Sequence, residues 1–473
     1  MTIMRYRYIV AAFAAMALAS ACDEAIELKK EADVDKYRTD LSGMLIDAQT
    51  NKSEKVLELY ENECGSFAVF RLSAEPRTGV DVSVEYDADY LETYNSIHNT
   101  SFELFPESLV TLSSGKVVMA PDEKRSKTLD VSLKADESIV EDRTYVLPLK
   151  AVSLTDGVTV PEKSSHLVYL VKDMRSRGYS YKGDGAVEMV EYMEVNDSNP
   201  LNLLELKVKG TGKLLYDQLV IFSANINMNS EGVPYVYCNP NVQALRDNNE
   251  ALLQPLRRQG IKVILCILGN HDTAGVAQLS ELGAQTFATE LANYVYAYNL
   301  DGVSFDDEWS LGPGSSPFLS THNSTSAARL CYWSKMMMPD KIVTFYVQGS
   351  MDESMPAYDG YEPGSFVDYI VGDYGQTPRP LLGSTKRNAS GYSVPLAGNS
   401  MLAPLEAKAR EIKGEGYGYF MTYNLNPLKY KTSLTQLNEI SLGLYDREVE
   451  TPKYYYKKTG EGKYDPAPYP LNL

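Results

Sequence analysis

Metal-binding side chains are scarce in this chain. It holds 4 histidines and 5 cysteines in 473 residues. The cysteines (Cys22, Cys64, Cys238, Cys266, Cys331) are scattered, with no CxxC pair among them. A disulfide scaffold and a Cys-rich zinc site are thereby excluded. Positive charge is also short: Lys+Arg 45 against Asp+Glu 63 leaves −18. A phosphate-backbone partner needs a basic face, so nucleic acid is not the expected ligand. Beyond the first segment no run reaches the ~20 apolar residues of a membrane span. Tryptophan (2) and phenylalanine (12) are few, yet tyrosine numbers 35. Its flat ring with a hydroxyl at the edge suits wet polyhydroxyl ligands. With 44% apolar and 23% charged residues, extended disorder and a fibrous repeat are both excluded. At ~150 residues per domain, the length fits two or three domains, or a large barrel with a companion.

Arg5 and Arg7 precede an apolar run over 8–18, then Ala19-Ser20-Ala21 and Cys22. A basic start, a short apolar segment and a small-residue exit read as a secretory signal over 1–21. The small residues before Cys22 resemble a bacterial lipobox, with Ala19 where leucine is commoner, and Asp23-Glu24 resemble the export tag of surface lipoproteins. The expectation is a lipid on Cys22, a linker over 22–39, and an exported outer-membrane or cell-surface lipoprotein of a Gram-negative-type bacterium. Any membrane contact would then be through the lipid anchor alone. Plain cleavage after Ala21 is the competing reading.

From 40 to 173 the apolar pattern has mostly period two. Val80, Val82, Val84 and Tyr86 alternate with polar residues, as do Leu129, Val131 and Leu133. Runs at 145–149 and 167–171 add strands, with Pro148 placing the first at an edge. The pattern predicts an antiparallel β-sandwich. This stretch holds no acid pair or nucleophile constellation, so a spacer or carbohydrate-binding accessory is its expected role. It resembles the modules found ahead of glycoside hydrolases in glycan-foraging surface lipoproteins.

Arg175-Ser176-Arg177-Gly178 reads as a linker, and the pattern then changes. Strand candidates at 187–195, 219–226, 261–268, 302–305, 342–347, 367–371 and 417–423 alternate with helical segments. One such segment carries Phe287, Leu291, Val295 and Tyr298 at helical spacing. With an eighth strand near 392–397, the region 179–473 reads as an α/β domain, a (β/α)8 TIM-type barrel with its site at the C-terminal strand ends. No Gly-rich phosphate loop follows the first strand, which disfavours a doubly wound sheet.

The chemistry concentrates in Asp301-Gly302-Val303-Ser304-Phe305-Asp306-Asp307-Glu308. Side chains alternate along a strand, so Ser304, Asp306 and Glu308 share one face, while Val303, Phe305 and Asp307 share the other. Val303 and Phe305 belong against the helices, which aims Asp306 and Glu308 into the barrel mouth. Two crowded acids repel, and one must hold its proton near neutral pH, as protonating a leaving glycosidic oxygen requires. The bland alternative is a solvated acidic turn.

These residues resemble the DGxDxDxE signature of glycoside hydrolase family 18, and the Phe-Asp-Asp-Glu ending is similar to endo-β-N-acetylglucosaminidases of the endoglycosidase H type. Further islands follow in order: Glu191–Asn196, Phe222–Asn227, the run ending in Gly269-Asn270-His271, the one beginning at Met338, and the last reaching Thr422-Tyr423-Asn424. The resemblance implies cleavage of the GlcNAc-β1,4-GlcNAc core of N-linked glycans without an enzyme nucleophile. It implies Glu308 as acid and base, Asp306 holding the 2-acetamido group, and Tyr374 of Gly372-Asp373-Tyr374-Gly375 on the acetamide oxygen. No metal or cofactor is implied, and a monomer is expected. Asp301, Ser304 and Asp373 join the candidate site through the same motifs. Ser304 stands where the family has an inner Asp, and Gly372 where relatives carry an amide.

Other candidates keep two readings. Glu194 and Asn196 read as sugar hydrogen-bonders or ordinary barrel polar residues, and His271, after Asn270, as a substrate contact or a loop histidine. Tyr346 and Tyr423 could floor a subsite or pack the interior; Asn424 follows the apolar run of its strand and favours a ligand role. Cys238, Cys266 and Cys331 read as small core residues, and Tyr454–Lys458 as a packed terminal segment. The competing functions are a family 18 chitinase, for which a Trp floor at the last strand would be expected in place of Tyr423, and a non-catalytic surface glycan-binding protein.

Overall fold

The computed structural model describes residues 40–396 and 404–471. The predicted signal, Cys22 and the linker over 22–39 lie outside the described residues, as does Ala397 of the expected eighth strand.

The alternating N-terminal segments form two packed sheets. One runs in the order Val158–Thr159, Leu41–Asp47, Glu63–Leu72, Leu129–Lys134, Val110–Leu112. The other runs Glu54–Leu59, His166–Asp173, Thr144–Ser153, Val80–Tyr86, Lys116–Met119, with Glu103–Leu104 paired to Thr144–Ser153. Phe70, Val82, Val131, Leu147 and Tyr169 fill the space between them. Helix Tyr90–His98, not apparent in the period-two pattern, lays Tyr94 over Val146, Val168 and Leu170 on the outer face of the second sheet. Two of its strands are therefore buried on both faces, which is why they read as apolar runs.

Pro148 is not on an edge strand, contrary to the sequence expectation. Thr144–Ser153 lies inside its sheet, with Pro148 opposite Val168. The Val168 N–H turns away to Ser53 at 2.9 Å, so this is a non-hydrogen-bonded pair. On the other side strand Val80–Tyr86 has just ended, and the Pro148 carbonyl accepts from Asp87 N–H at 3.0 Å. The missing donor therefore breaks no ladder bond.

The barrel strands are β1 (Glu188–Glu194), β2 (Gln218–Met228), β3 (Lys262–Leu268), β4 (Gly302–Asp306), β5 (Ile342–Tyr346), β6 (Tyr369–Val371), β7 (Ser390–Pro395) and β8 (Tyr419–Tyr423). They pair in parallel in the order β6-β5-β4-β3-β2-β1-β8-β7, and the bridge Ile370↔Ala389 brings the two ends together. Val190, Tyr192, Val220, Ile264, Cys266, Tyr369 and Met421 fill the interior. Val303 and Phe305 pack outward with Phe287, Leu291 and Val295 of α1 (Glu281–Ala297) and Cys331 of α2 (Ser324–Met337). Cys238 is only partly buried, 3.4 Å from the Tyr294 hydroxyl. At Gly302 a Cβ would fall 2.4 Å from the Ile342 carbonyl, so β4 and β5 approach closely only because no side chain intervenes.

The connection Arg175–Arg177 is a single 3-10 turn. It is pinned rather than free, since Arg177, 4% exposed, pairs with Glu141 at 2.8 Å and with Asp142. The sandwich sits against the base of the barrel, at the N-terminal strand ends. Lys262 meets Glu58 at 3.1 Å, Lys172 meets Asp340 at 3.3 Å, and Tyr60 stacks on Tyr181 at 4.0 Å. A charged cavity of ≈ 850 Å³ remains between the domains.

Asp301 belongs to this base, a correction to its sequence assignment. It precedes β4, accepts from Arg257 Nε and Nη2 at 2.7 and 2.8 Å and from Val263 N–H at 2.9 Å, and lies at the strand end opposite Asp306. Burial opposes its ionisation, but Arg257 foremost, with Lys341 and the Val263 amide, holds the carboxyl well below the usual range. Because the folded value is depressed, this stabilisation is present at neutral pH and lost as pH falls. Asp301→Asn should therefore cost about 3 kcal/mol at pH 7, the lower end for breaking a buried pair, and the gap to wild type should close below about pH 4. Urea unfolding across that range measures it, and an acid-independent gap would contradict the assignment.

Candidate active site

The last residues of β4 and the turn behind it carry the acids. Asp306 points into the barrel and is 2% exposed, and its Oδ1 has no hydrogen-bond partner among the described residues. Glu308 stands at the rim, half-buried. Asp307 points the other way and accepts from His322 Nε2 at 2.8 Å and from the Ser350 amide at 2.7 Å. That contact clamps the β4 exit to the loops before α2 and after β5. Burial first, then the charges of Glu308, Asp307 and Asp373, push the Asp306 carboxyl well above its ordinary range. Burial and then Asp373 raise Glu308 as well, with the Trp309 indole N–H pulling it back. The mouth thus contains carboxyls that share too few protons, in a setting that disfavours a second negative charge.

Ser304 does not reach the mouth. It is fully buried one step below Asp306, and its hydroxyl pairs with that of Tyr192 across the barrel at 2.9 Å. The family's inner Asp is thus replaced by a hydroxyl engaged with Tyr192. Gly372 has an equally local cause: a Cβ there would lie 2.6 Å from Pro378 Cδ, so this loop has no room for an amide side chain.

Tyrosines surround the acids. The Tyr346 hydroxyl donates to Asp373, whose Oδ1 also accepts from the Tyr374 amide at 2.6 Å. Tyr374 lies 6.4 Å from the ring of Tyr346 and 5.9 Å from that of Tyr423, and is 39% exposed. Burial, then Tyr423, Asp373 and Asp306, raise the Tyr374 phenol, which keeps its hydroxyl a donor. The Tyr423 hydroxyl donates to Glu194 at 3.3 Å, and Glu194 accepts from the Asn196 side chain at 2.5 Å. Burial raises Glu194 too.

The remaining candidates line the rim or support it. Asn270 donates to Asn227 at 3.0 Å. His271 is exposed in a left-handed conformation (φ 52°), and its N–H donates to the Trp309 carbonyl at 2.7 Å. Asn424, also left-handed (φ 62°), carries a buried Oδ1 without a partner among the described residues.

Several supporting groups were not among the site residues expected from the sequence. Asn241 bridges Asn196 at 2.6 Å and the Gly462 amide at 2.8 Å, and the Tyr464 hydroxyl donates to the Val195 carbonyl at 2.6 Å. The terminal segment is therefore a hairpin, Tyr454–Gly460 and Lys463–Pro470, that braces the β1 exit. Glu191, on the outer face of β1, accepts from Thr422 at 2.5 Å and from the Leu425 amide at 2.6 Å, and holds the β8 exit. Burial lifts it to about 8.

An acid pair at a strand's C-terminal end, inside a tyrosine-walled mouth of a parallel barrel, defines a (β/α)8 glycoside hydrolase. The comparisons narrow this. A family model described as an N-terminal domain matches residues 37–158. Endo-beta-N-acetylglucosaminidase F1 of Elizabethkingia meningoseptica is 40% identical over 285 residues, 59% of this chain and 82% of that protein. An endo-beta-N-acetylglucosaminidase of Flavobacterium sp. (strain SK1022) is 33% identical over 52% of this chain and 79% of its own length. The solved structure of Bacteroides thetaiotamicron EndoBT-3987 with Man5GlcNAc product superposes with a TM-score of 0.86 at 42% identity, over 90% of this chain and 99% of that one. The chain belongs to the endo-beta-N-acetylglucosaminidase family of these relatives.

Because Asp373 helps keep the proton on Glu308, Asp373→Asn should lower that proton affinity. The general acid would then be lost at lower pH, so the alkaline limb of the kcat/KM profile should move toward acid whatever happens to kcat. An unmoved limb would show that Asp373 does not set the acid's proton affinity.

Proposed function

We propose that the protein cleaves the β-1,4 bond between the two core N-acetylglucosamines of N-linked glycans, leaving one on asparagine. The observation that carries this reading is the buried, unpartnered Asp306 Oδ1 beside a raised-pKa glutamic acid. An unpaired buried acceptor is costly unless a ligand donor completes it, and a 2-acetamido N–H is such a donor. In the reaction Glu308 gives its proton to the leaving glycosidic oxygen, while the substrate's acetamide oxygen closes on the anomeric carbon as that C–O bond breaks. The product of this step is an oxazolinium ion. Its positive charge faces Asp306, which gains most from a cation because nothing else nearby offsets its charge. The Tyr374 hydroxyl donates to the acetamide oxygen and orients it. Glu308, now a carboxylate, takes a proton from water, which attacks the anomeric carbon and opens the ring with net retention. Relatives solved with Man5GlcNAc product and with Man9GlcNAc2Asn substrate support the N-glycan as the substrate class.

The test is incubation of the purified protein with a high-mannose glycoprotein and, separately, with chitin oligomers. Released glycan ending in one reducing GlcNAc is expected from the first. Glu308→Gln should lower that rate by ~10²–10⁴-fold, the usual worth of a general acid and base. Turnover of chitin alone would move the assignment to chitinase, and binding without turnover to a glycan-binding protein.

We propose further that it acts as a monomer at the outer surface of the cell, held by a lipid on Cys22. Arg5, Arg7, the apolar run and the small residues before Cys22 support the export and the anchor. Labelling with a radioactive fatty acid should mark the wild type and leave Cys22→Ala unlabelled; a soluble, unlabelled wild type would refute the anchor.

A further inference from the structure

One residue at the rim breaks two local rules together. Trp309 follows the acid Glu308 directly, its backbone is left-handed (φ 63°), and 60% of it is exposed. A bulky residue in that conformation is a strained outlier. An indole left in water also forgoes the burial that makes tryptophan stabilising. Yet the segment is held rigidly. The His271 amide donates to the Trp309 carbonyl at 2.7 Å and the Leu311 amide to the Asp272 carbonyl at 2.8 Å, so the loops after β3 and β4 are zipped together. At Gly269 a Cβ would lie 2.3 Å from the Glu308 carbonyl, so only glycine permits that approach. The His271 ring meets the indole edge-on at 5.7 Å. Local rules broken without structural gain mark functional positions.

We infer that Trp309, with His271 beside it, is the stacking platform for the leaving sugar, the N-acetylglucosamine that stays on asparagine. The inference rests on the hydrolase reading of the same site. In that reading Asp306, which is buried, and Tyr374 hold the acetamide of the attacked sugar. Glu308 protonates the oxygen between the two sugars. The next residue outward along the chain therefore meets the sugar on the far side of that oxygen. A pyranose in the β-linked chair presents a face of axial C–H groups, which packs on an indole face. The zipped loops hold that face in place before substrate arrives, so little ordering entropy is lost on binding.

The test compares Trp309→Asn and Trp309→Phe with wild type in three measurements. Asparagine tolerates the left-handed conformation, so Trp309→Asn should unfold at the wild-type temperature or above it. On a high-mannose glycopeptide its kcat/KM should fall about tenfold, mostly through KM, in line with one aromatic contact. Trp309→Phe should keep most of the activity. Affinity for a GlcNAc-asparagine peptide, the product that occupies only the leaving-group side, should fall in parallel by calorimetry. Wild-type KM and wild-type product affinity in Trp309→Asn would overturn the platform, as would a loss of activity matched by a loss of thermal stability. The binding measurement needs no turnover. A wild type that releases no glycan would refute the hydrolase reading alone, while weaker product binding by Trp309→Asn would still support the platform.

Discussion

Strand β4 has opposite electrostatics at its two ends, and the catalytic face depends on that contrast. At its base Asp301 meets Arg257 and is held ionised. At its top Asp306 faces Glu308, Asp307 and Asp373, none of them a cation, and burial with these charges pushes its carboxyl well above the ordinary range. The segment thus stabilises a charge where the domain must be strong and withholds compensation where chemistry must occur. A lysine or arginine near Asp306 would relieve the strain and remove the reason for a cationic intermediate to be stabilised there.

The other features of the mouth position this pair without neutralising it. Asp307 turns outward to His322 and Ser350, so its hydrogen bonds fix the β4 exit while its charge still presses on Asp306. Ser304 spends its hydroxyl on Tyr192 and leaves the Asp306 Oδ1 open. The relay from Gly462 through Asn241 and Asn196 to Glu194 makes the terminal hairpin part of the catalytic face.

The sandwich takes the opposite role. It closes the base of the barrel with ion pairs and an aromatic stack, far from the acids. Among the described residues, the sandwich therefore lies at the strand ends opposite those that carry the acids.

What was legible in the sequence was whatever periodicity encodes. Period two along 302–308 placed Asp306 and Glu308 on one face and Asp307 on the other, and strand-helix alternation marked the barrel, because backbone geometry alone turns side chains in or out. Period two also marked the sandwich, but not the helix Tyr90–His98, whose apolar face exists only against the sheet it covers. Asp301 was misplaced because a motif records neighbours in sequence, whereas strand ends lie on opposite sides of a barrel. His322 and Asn241 were invisible, and the terminal segment was legible only as packed, since their roles are contacts between segments distant in the chain. The sequence by itself determined which acids share a face; only the tertiary structure decided which lost their counter-charges, because burial and charge neighbours are properties of packing.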